Sequence, residues 1–117
     1  MLLVAYTTIT RSGNLIELGG KQFDWDRNKN LINIGKHGIT FKEAATAFQD
    51  KNLIEIDDWE HSQHNEDRFI IIGKSKRLRL LVVCHCFREK GNDTIIRIFS
   101  AREANSQEAL LYGGGEE

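Results

Sequence analysis

Arg68, Arg79, Arg97 and Arg102 fall within residues 68–102, where nine basic side chains stand against only Glu89 and Asp93, a net of +7. Guanidinium groups grip phosphate oxygens in a two-pronged geometry, so this density is the footprint of a polyanion site or of an acidic protein partner. Residues 41–67 are the reverse, with Lys42 and Lys51 against eight carboxylates, a net of −6. Two oppositely charged, solvated faces that partly neutralise each other give the same pattern without any ligand. Proton transfer would rest on His37, His61, His85 or Glu60. His37 stands out because Lys36-His37-Gly38 closes an expected helix. A histidine there also serves the last carbonyls and the helix dipole, so capping competes evenly with catalysis. His61 and His64 lie in an acidic, polar stretch that reads as a loop.

Two other chemistries are tested and set aside. Cys84-His85-Cys86 looks like a ligand cluster, but strand alternation sends His85 to the face opposite the cysteines, and no C-x2-C spacing is present. No metal site is expected, and no cofactor. The same spacing places the two thiols poorly for a relaxed disulfide, which suits reduced core cysteines. Gly113-Gly114-Gly115 ends a helix instead of opening one, the wrong way round for anion binding.

The elements that must position these groups follow from local signals. Phe23 to Trp25 reads as a short strand. Asp26 caps a helix over about 27–36, with Leu31 and Ile34 three apart and Gly38 just past its end. Thr40 and Glu43 form a capping box for a second helix, in which Phe41, Ala44, Ala45 and Phe48 make a core-facing stripe. Strands are expected at 53–56, 69–72, 78–87 and 94–99, with turns at 73–76 and 91–93. Ser100 with Glu103 predicts a last helix over about 101–112.

Hairpin-length turns point to an α+β fold: two N-terminal helices, an antiparallel meander sheet and a C-terminal helix. Alternation along 78–87 and 94–99 predicts one apolar face for the helices. The other face is mixed, carrying Arg79, His85 and Arg97 beside Phe87 and Phe99. Arginines interleaved with aromatics suit phosphate contact and base stacking, and also protein interfaces. Carboxylates from 55–67 are the competing partners for those arginines.

A length of 117 residues makes one domain the default. Residues 1–22 read as an N-terminal extension, a strand or a disordered arm, with a strand signal at Tyr6–Thr10. Residues 23–112 form the expected domain, and 113–117 a flexible tail. The opening apolar run has no basic flank and is too short for a signal or a membrane span. A soluble, cytoplasmic protein without membrane contact is therefore expected.

Phe23-Asp24-Trp25-Asp26 recurs with Lys29, Asn33, Lys36-His37-Gly38, Phe41, Glu43 and Ala44, then Arg68, Gly73 and Arg97-Ile98-Phe99-Ser100-Ala101-Arg102. In identity and spacing this set, over residues 23–112, resembles the BrnT family, the toxin half of a bacterial type II toxin–antitoxin pair. The resemblance implies a RelE-like fold and a ribonuclease that cuts mRNA. It also implies a BrnA-type antitoxin as partner, in a 2:2 assembly that reaches DNA only through the antitoxin.

RNA cleavage without a metal needs a base for the 2′-hydroxyl, cations for the charged phosphorane and an acid for the leaving oxygen. The expected catalytic set is His37, Glu60, Arg68, Arg79, Arg97 and Arg102. Lys36, Lys74, Lys76, Arg77 and His85 are the expected RNA contacts. One departure matters: relatives carry several Lys or Arg after the Ser-Ala-Arg element, where this chain has Asn105, Ser106, Gln107, Ala109, Leu110 and Leu111. That thinning favours the alternative, a non-catalytic module that binds its antitoxin and takes part in operon autoregulation. Direct DNA binding is weaker still, because no helix is basic enough for a major groove.

Overall fold

The computed structural model describes residues 13–58 and 66–113. Strands β1 (Gly13–Leu18) and β2 (Lys21–Asp26) lead into helices α1 (Arg27–His37) and α2 (Phe41–Thr46), followed by a single 3-10 turn, Ala47–Gln49. Strands β3 (Ile54–Asp57), β4 (Phe69–Lys74), β5 (Leu80–Lys90) and β6 (Asp93–Glu103) follow, and α3 (Ser106–Gly113) closes the described chain.

One sheet of six strands has the order β1-β2-β6-β5-β4-β3. The expected antiparallel meander covers β3 to β6 only. β2 lies parallel to β6, pairing Phe23 with Ile96 and Trp25 with Ile98, so the sheet is mixed. The reason is the helical crossover: the chain leaves β2 through α1 and α2 and returns to β2's edge only with its last strand. β1 then adds an antiparallel edge strand outside β2. The strand signal at Tyr6–Thr10 lies outside the described residues.

Helix starts obey the capping rules. The Asp26 side chain accepts from the Lys29 N–H at 3.0 Å, and Gly38 closes α1 with φ 70°. Thr40 Oγ1 accepts from the Glu43 N–H at 2.9 Å, but the Glu43 carboxylate is engaged elsewhere and does not complete a box. The Ser100–Glu103 box is a correction. β6 runs through both residues, and the reciprocal box is Asn105 with Glu108: each side chain accepts from the other's N–H, at 2.8 and 2.9 Å. Pairing of β6 with β5 up to Leu81↔Glu103 outweighs the local helix signal.

The core lies between the helices and one sheet face. Phe41, Ala44, Ala45 and Phe48 pack on Phe23, Trp25, Ile71, Leu81, Val83, Ile96 and Ile98. The predicted face assignment is therefore inverted in β5. The grouping by alternation holds, but the helices pack on the face opposite to the expected one. Leu81, Val83 and His85 face the helices, while Val82, Cys84 and Cys86 take the other side. Leu31 and Ile34 of α1 are exposed. The inward residue of α1 is Asn33.

Candidate nucleic-acid interface

Asn33 sets the geometry. Its amide donates to the carbonyls of Ile39 (3.0 Å) and Ala101 (2.8 Å), and its oxygen accepts from the Ala101 N–H at 3.1 Å. Three hydrogen bonds satisfy a buried amide and lock α1 against β6. Where α1 meets it, β6 is irregular. Cys84 pairs with Ser100, but His85 pairs with Ile98, so Phe99 is an extra residue without a partner on β5. Such a bulge re-aims a side chain. The Phe99 ring carries the Arg68 guanidinium 4.0 Å from its centroid, with Lys29 Nζ at 6.0 Å.

The result is a hollow of about 230 Å³ lined by Lys29, Ile32, Lys36, His37, Phe99 and Ser100, with Asn33 at its base. Lys29, Ile32, Asn33 and Lys36 follow the i, i+3, i+4, i+7 stripe of one helix face. That spacing was readable in the sequence. Lys29 and Phe99 are nonetheless outside the expected site residues: Lys29 belongs only to the family motif, and Phe99 to the mixed strand face with Arg79 and Arg97.

The expected arginines separate into different settings. Arg79 binds Glu43 in a forked pair: Nε donates to Oε2 at 3.0 Å and Nη2 to Oε1, while Ser75 Oγ donates to the same carboxylate at 2.7 Å. Arg79 Nη2 also reaches the Gly38 carbonyl at 3.3 Å, placing this corner beside the end of α1. The Arg79 guanidinium holds the Glu43 carboxyl below the ordinary carboxylate range, against the upward push of burial. Arg97 pairs with Asp24 at 3.0 Å, both side chains largely buried. Arg102 makes two bonds of 2.8 Å to Glu108, which pull that carboxyl down to about 2.

The mixed face expected to hold Arg79, His85 and Arg97 does not form. Arg97 points away from the helices and Arg79 toward α2. His85 is fully buried on the helix side, among the rings of Phe48, Phe69 and Phe87. Its Nδ1 lies 3.2 Å from the Val83 carbonyl, which can only accept, so the neutral ring carries its proton there. Burial pushes His85 down to about 4, and in this position it cannot touch RNA. Lys74, Lys76 and Arg77 are exposed on the β4–β5 turn. Glu60, His61 and His64 lie outside the described residues.

Cys84 and Cys86 are free thiols. Burial raises both, Cys84 to about 12 with Asp58 adding to the effect, so neither is a thiolate. Among the described residues no group of three His, Cys, Asp or Glu side chains is placed to hold a metal, and no helix is long and apolar enough to cross a membrane.

No curated protein matches the chain. Among solved structures, the ribonuclease toxin BrnT of Brucella abortus is similar, with 24% identity and a TM-score of 0.48, covering 70% of this chain and 94% of that one. The family model described as the ribonuclease toxin BrnT of type II toxin–antitoxin systems matches residues 25–108, which run from the end of β2 into α3. The chain belongs to the BrnT family of type II toxin–antitoxin ribonuclease toxins.

Proposed function

We propose that this chain is a metal-independent endoribonuclease of RelE-like kinship that cuts mRNA in the bacterial cytoplasm, arresting translation and growth until a BrnA-type antitoxin binds it. One observation carries the reading: Lys29, Lys36 and His37 line a single open hollow with Phe99, whose ring carries the Arg68 guanidinium 4.0 Å from its centroid. A nucleobase stacks against the Phe99–Arg68 platform while the lysines hold the flanking phosphates. His37 takes the 2′-hydroxyl proton as that oxygen bonds to phosphorus, the cations stabilise the phosphorane, and the P–O5′ bond breaks as the leaving 5′-oxygen takes a proton from solvent. Arg79, Arg97 and Arg102 serve this site indirectly, by fixing the corner next to Gly38, the end of β2 and the start of α3.

The test is induced expression in a bacterial host, followed by transcript analysis and cleavage of purified RNA in EDTA. Arrested growth with cut transcripts is the expected result. Normal growth with intact RNA would leave the alternative, a module that only binds its antitoxin. That alternative has one observation in its favour: each of Arg68, Arg79, Arg97 and Arg102 already has a carboxylate partner inside the fold, Arg68 through Glu66 at 3.7 Å.

A further inference from the structure

The expected mixed strand face, with Arg79 and Arg97 beside Phe87 and Phe99, is not a face of the folded molecule. A different surface has the required character. Between the β1–β2 turn, β3 and the β5–β6 turn lies an open groove of about 660 Å³, on the helix side of the sheet but beyond the helices. Its floor is apolar, made by Phe48, Leu53, Ile71, Phe87 and Ile96. Its walls carry Glu17, Glu55 and Asp93 against Lys21. Phe87 also lines an adjoining hollow of about 480 Å³, where Glu66, Asp67 and Glu89 stand against Arg88. The two hollows thus share one aromatic side chain, itself 43% exposed, and present six carboxylates with two basic groups.

We propose that this double groove is the docking site for a basic segment of the antitoxin, one that seats an apolar or aromatic residue against Phe87 and lays Lys or Arg along the acidic walls. The proposal rests on the toxin–antitoxin reading for the identity of the partner. An exposed aromatic in an apolar floor is the usual anchor of a protein interface. The charge on the walls selects the partner's sign and speeds its approach. A small molecule fits less well, because such ligands are mostly enclosed by their sites and both of these hollows are open to solvent. RNA is repelled by the same carboxylates, so the groove and the hollow beside α1 recognise partners of opposite charge.

The experiment measures binding of the antitoxin encoded beside this chain, at low and high salt, to the parent, to Glu17→Lys/Asp93→Lys and to Phe87→Ala. Both rim positions are exposed, so the double variant keeps the parent's melting temperature and stays informative even if Phe87→Ala loosens the core. The rim variant is expected to lose about tenfold or more in antitoxin affinity at low salt, with a shallower salt dependence. RNA cleavage by the same variant stays at the parental rate. Parental antitoxin affinity in the rim variant, or no antitoxin binding at all, would overturn the proposal. So would a loss of affinity caused instead by Lys29→Ala/Lys36→Ala, which would mean that the antitoxin covers the RNA hollow. An inactive parent that still binds antitoxin through the groove would refute the nuclease reading alone.

Discussion

The corner at Arg79 and the hollow at Phe99 are both basic, lie near the two ends of the Lys36-His37-Gly38 element, and are chemically unlike. At the corner, Glu43 sits largely buried on α2 and takes both prongs of the arginine, with Ser75 beside it. At the hollow, no carboxylate among the described residues lines the space around Lys29, Lys36 and His37. Charge density along the chain singles out residues 68–102, which hold Arg79 but neither Lys29 nor Lys36. What separates them is whether the fold brings a carboxylate within reach of the cation: where it does, the pair becomes a strut, and where it does not, the cation is left for a ligand.

Breaking the hollow should therefore have the largest consequences. His37→Ala is expected to lower the RNA cleavage rate by about 10²–10⁴, the usual range for a proton-transfer group, with little change in RNA affinity. Single-turnover kinetics on a short labelled RNA separate the two. If His37 only caps α1, stability falls and the rate per folded molecule stays the same. Phe99→Leu keeps an apolar side chain on the bulge but removes the stacking surface. It should weaken single-stranded RNA binding by about 1–3 kcal/mol, measured by fluorescence anisotropy.

At the corner the prediction concerns stability. Folding favours the ionised form of Glu43, so the stabilisation it brings is fully present above the ordinary carboxylate range and is lost as pH falls through its lowered folded value. Arg79→Ala should lower the melting temperature at neutral pH and flatten the acid limb of the stability curve. An unchanged acid limb would remove Arg79 from its structural role.

His85 acts in a separate window. The unfolded chain takes up a proton near 6.5 that the folded chain refuses until about 4. Stability therefore falls on acidification from pH 6.5 to 4.5, before the carboxylates contribute, by up to about 1.4 kcal/mol per pH unit. His85→Phe should abolish that slope in urea titrations, and a slope that persists would place the titrating group elsewhere. The smallest expected effect is at α3, where Asn105→Ala should cost about 1 kcal/mol through loss of the cap.

Much of this was legible in the sequence. Asp26, Gly38 and Thr40 marked helix limits through short-range hydrogen bonds, and the Phe41–Phe48 stripe announced the core face. Illegible were the features decided by residues far apart in the chain. β2 lies next to β6 because the crossover helices carry the chain across the sheet, which no local pattern encodes. Alternation grouped the β5 residues correctly, but which group faces inward was decided by packing against Phe41, Ala44 and Phe48, and with it the placing of His85. Asn105–Glu108 is as clear a box as Ser100–Glu103. Only strand pairing through Glu103 decides between them. At the site, Lys36 and His37 were found by motif, while Phe99 gained its position from a bulge visible only in three dimensions.

The most direct measurement is the cleavage rate of a labelled single-stranded RNA, in EDTA, by three proteins normalised to folded concentration: the parent, Lys29→Ala/Lys36→Ala and Arg102→Ala. The double variant is expected to lose about tenfold or more, with a shallower salt dependence because two phosphate contacts are gone. Arg102→Ala, whose guanidinium is occupied by Glu108, should stay near the parental rate. A larger loss in Arg102→Ala than in the double variant would contradict the placement of RNA in the hollow beside α1.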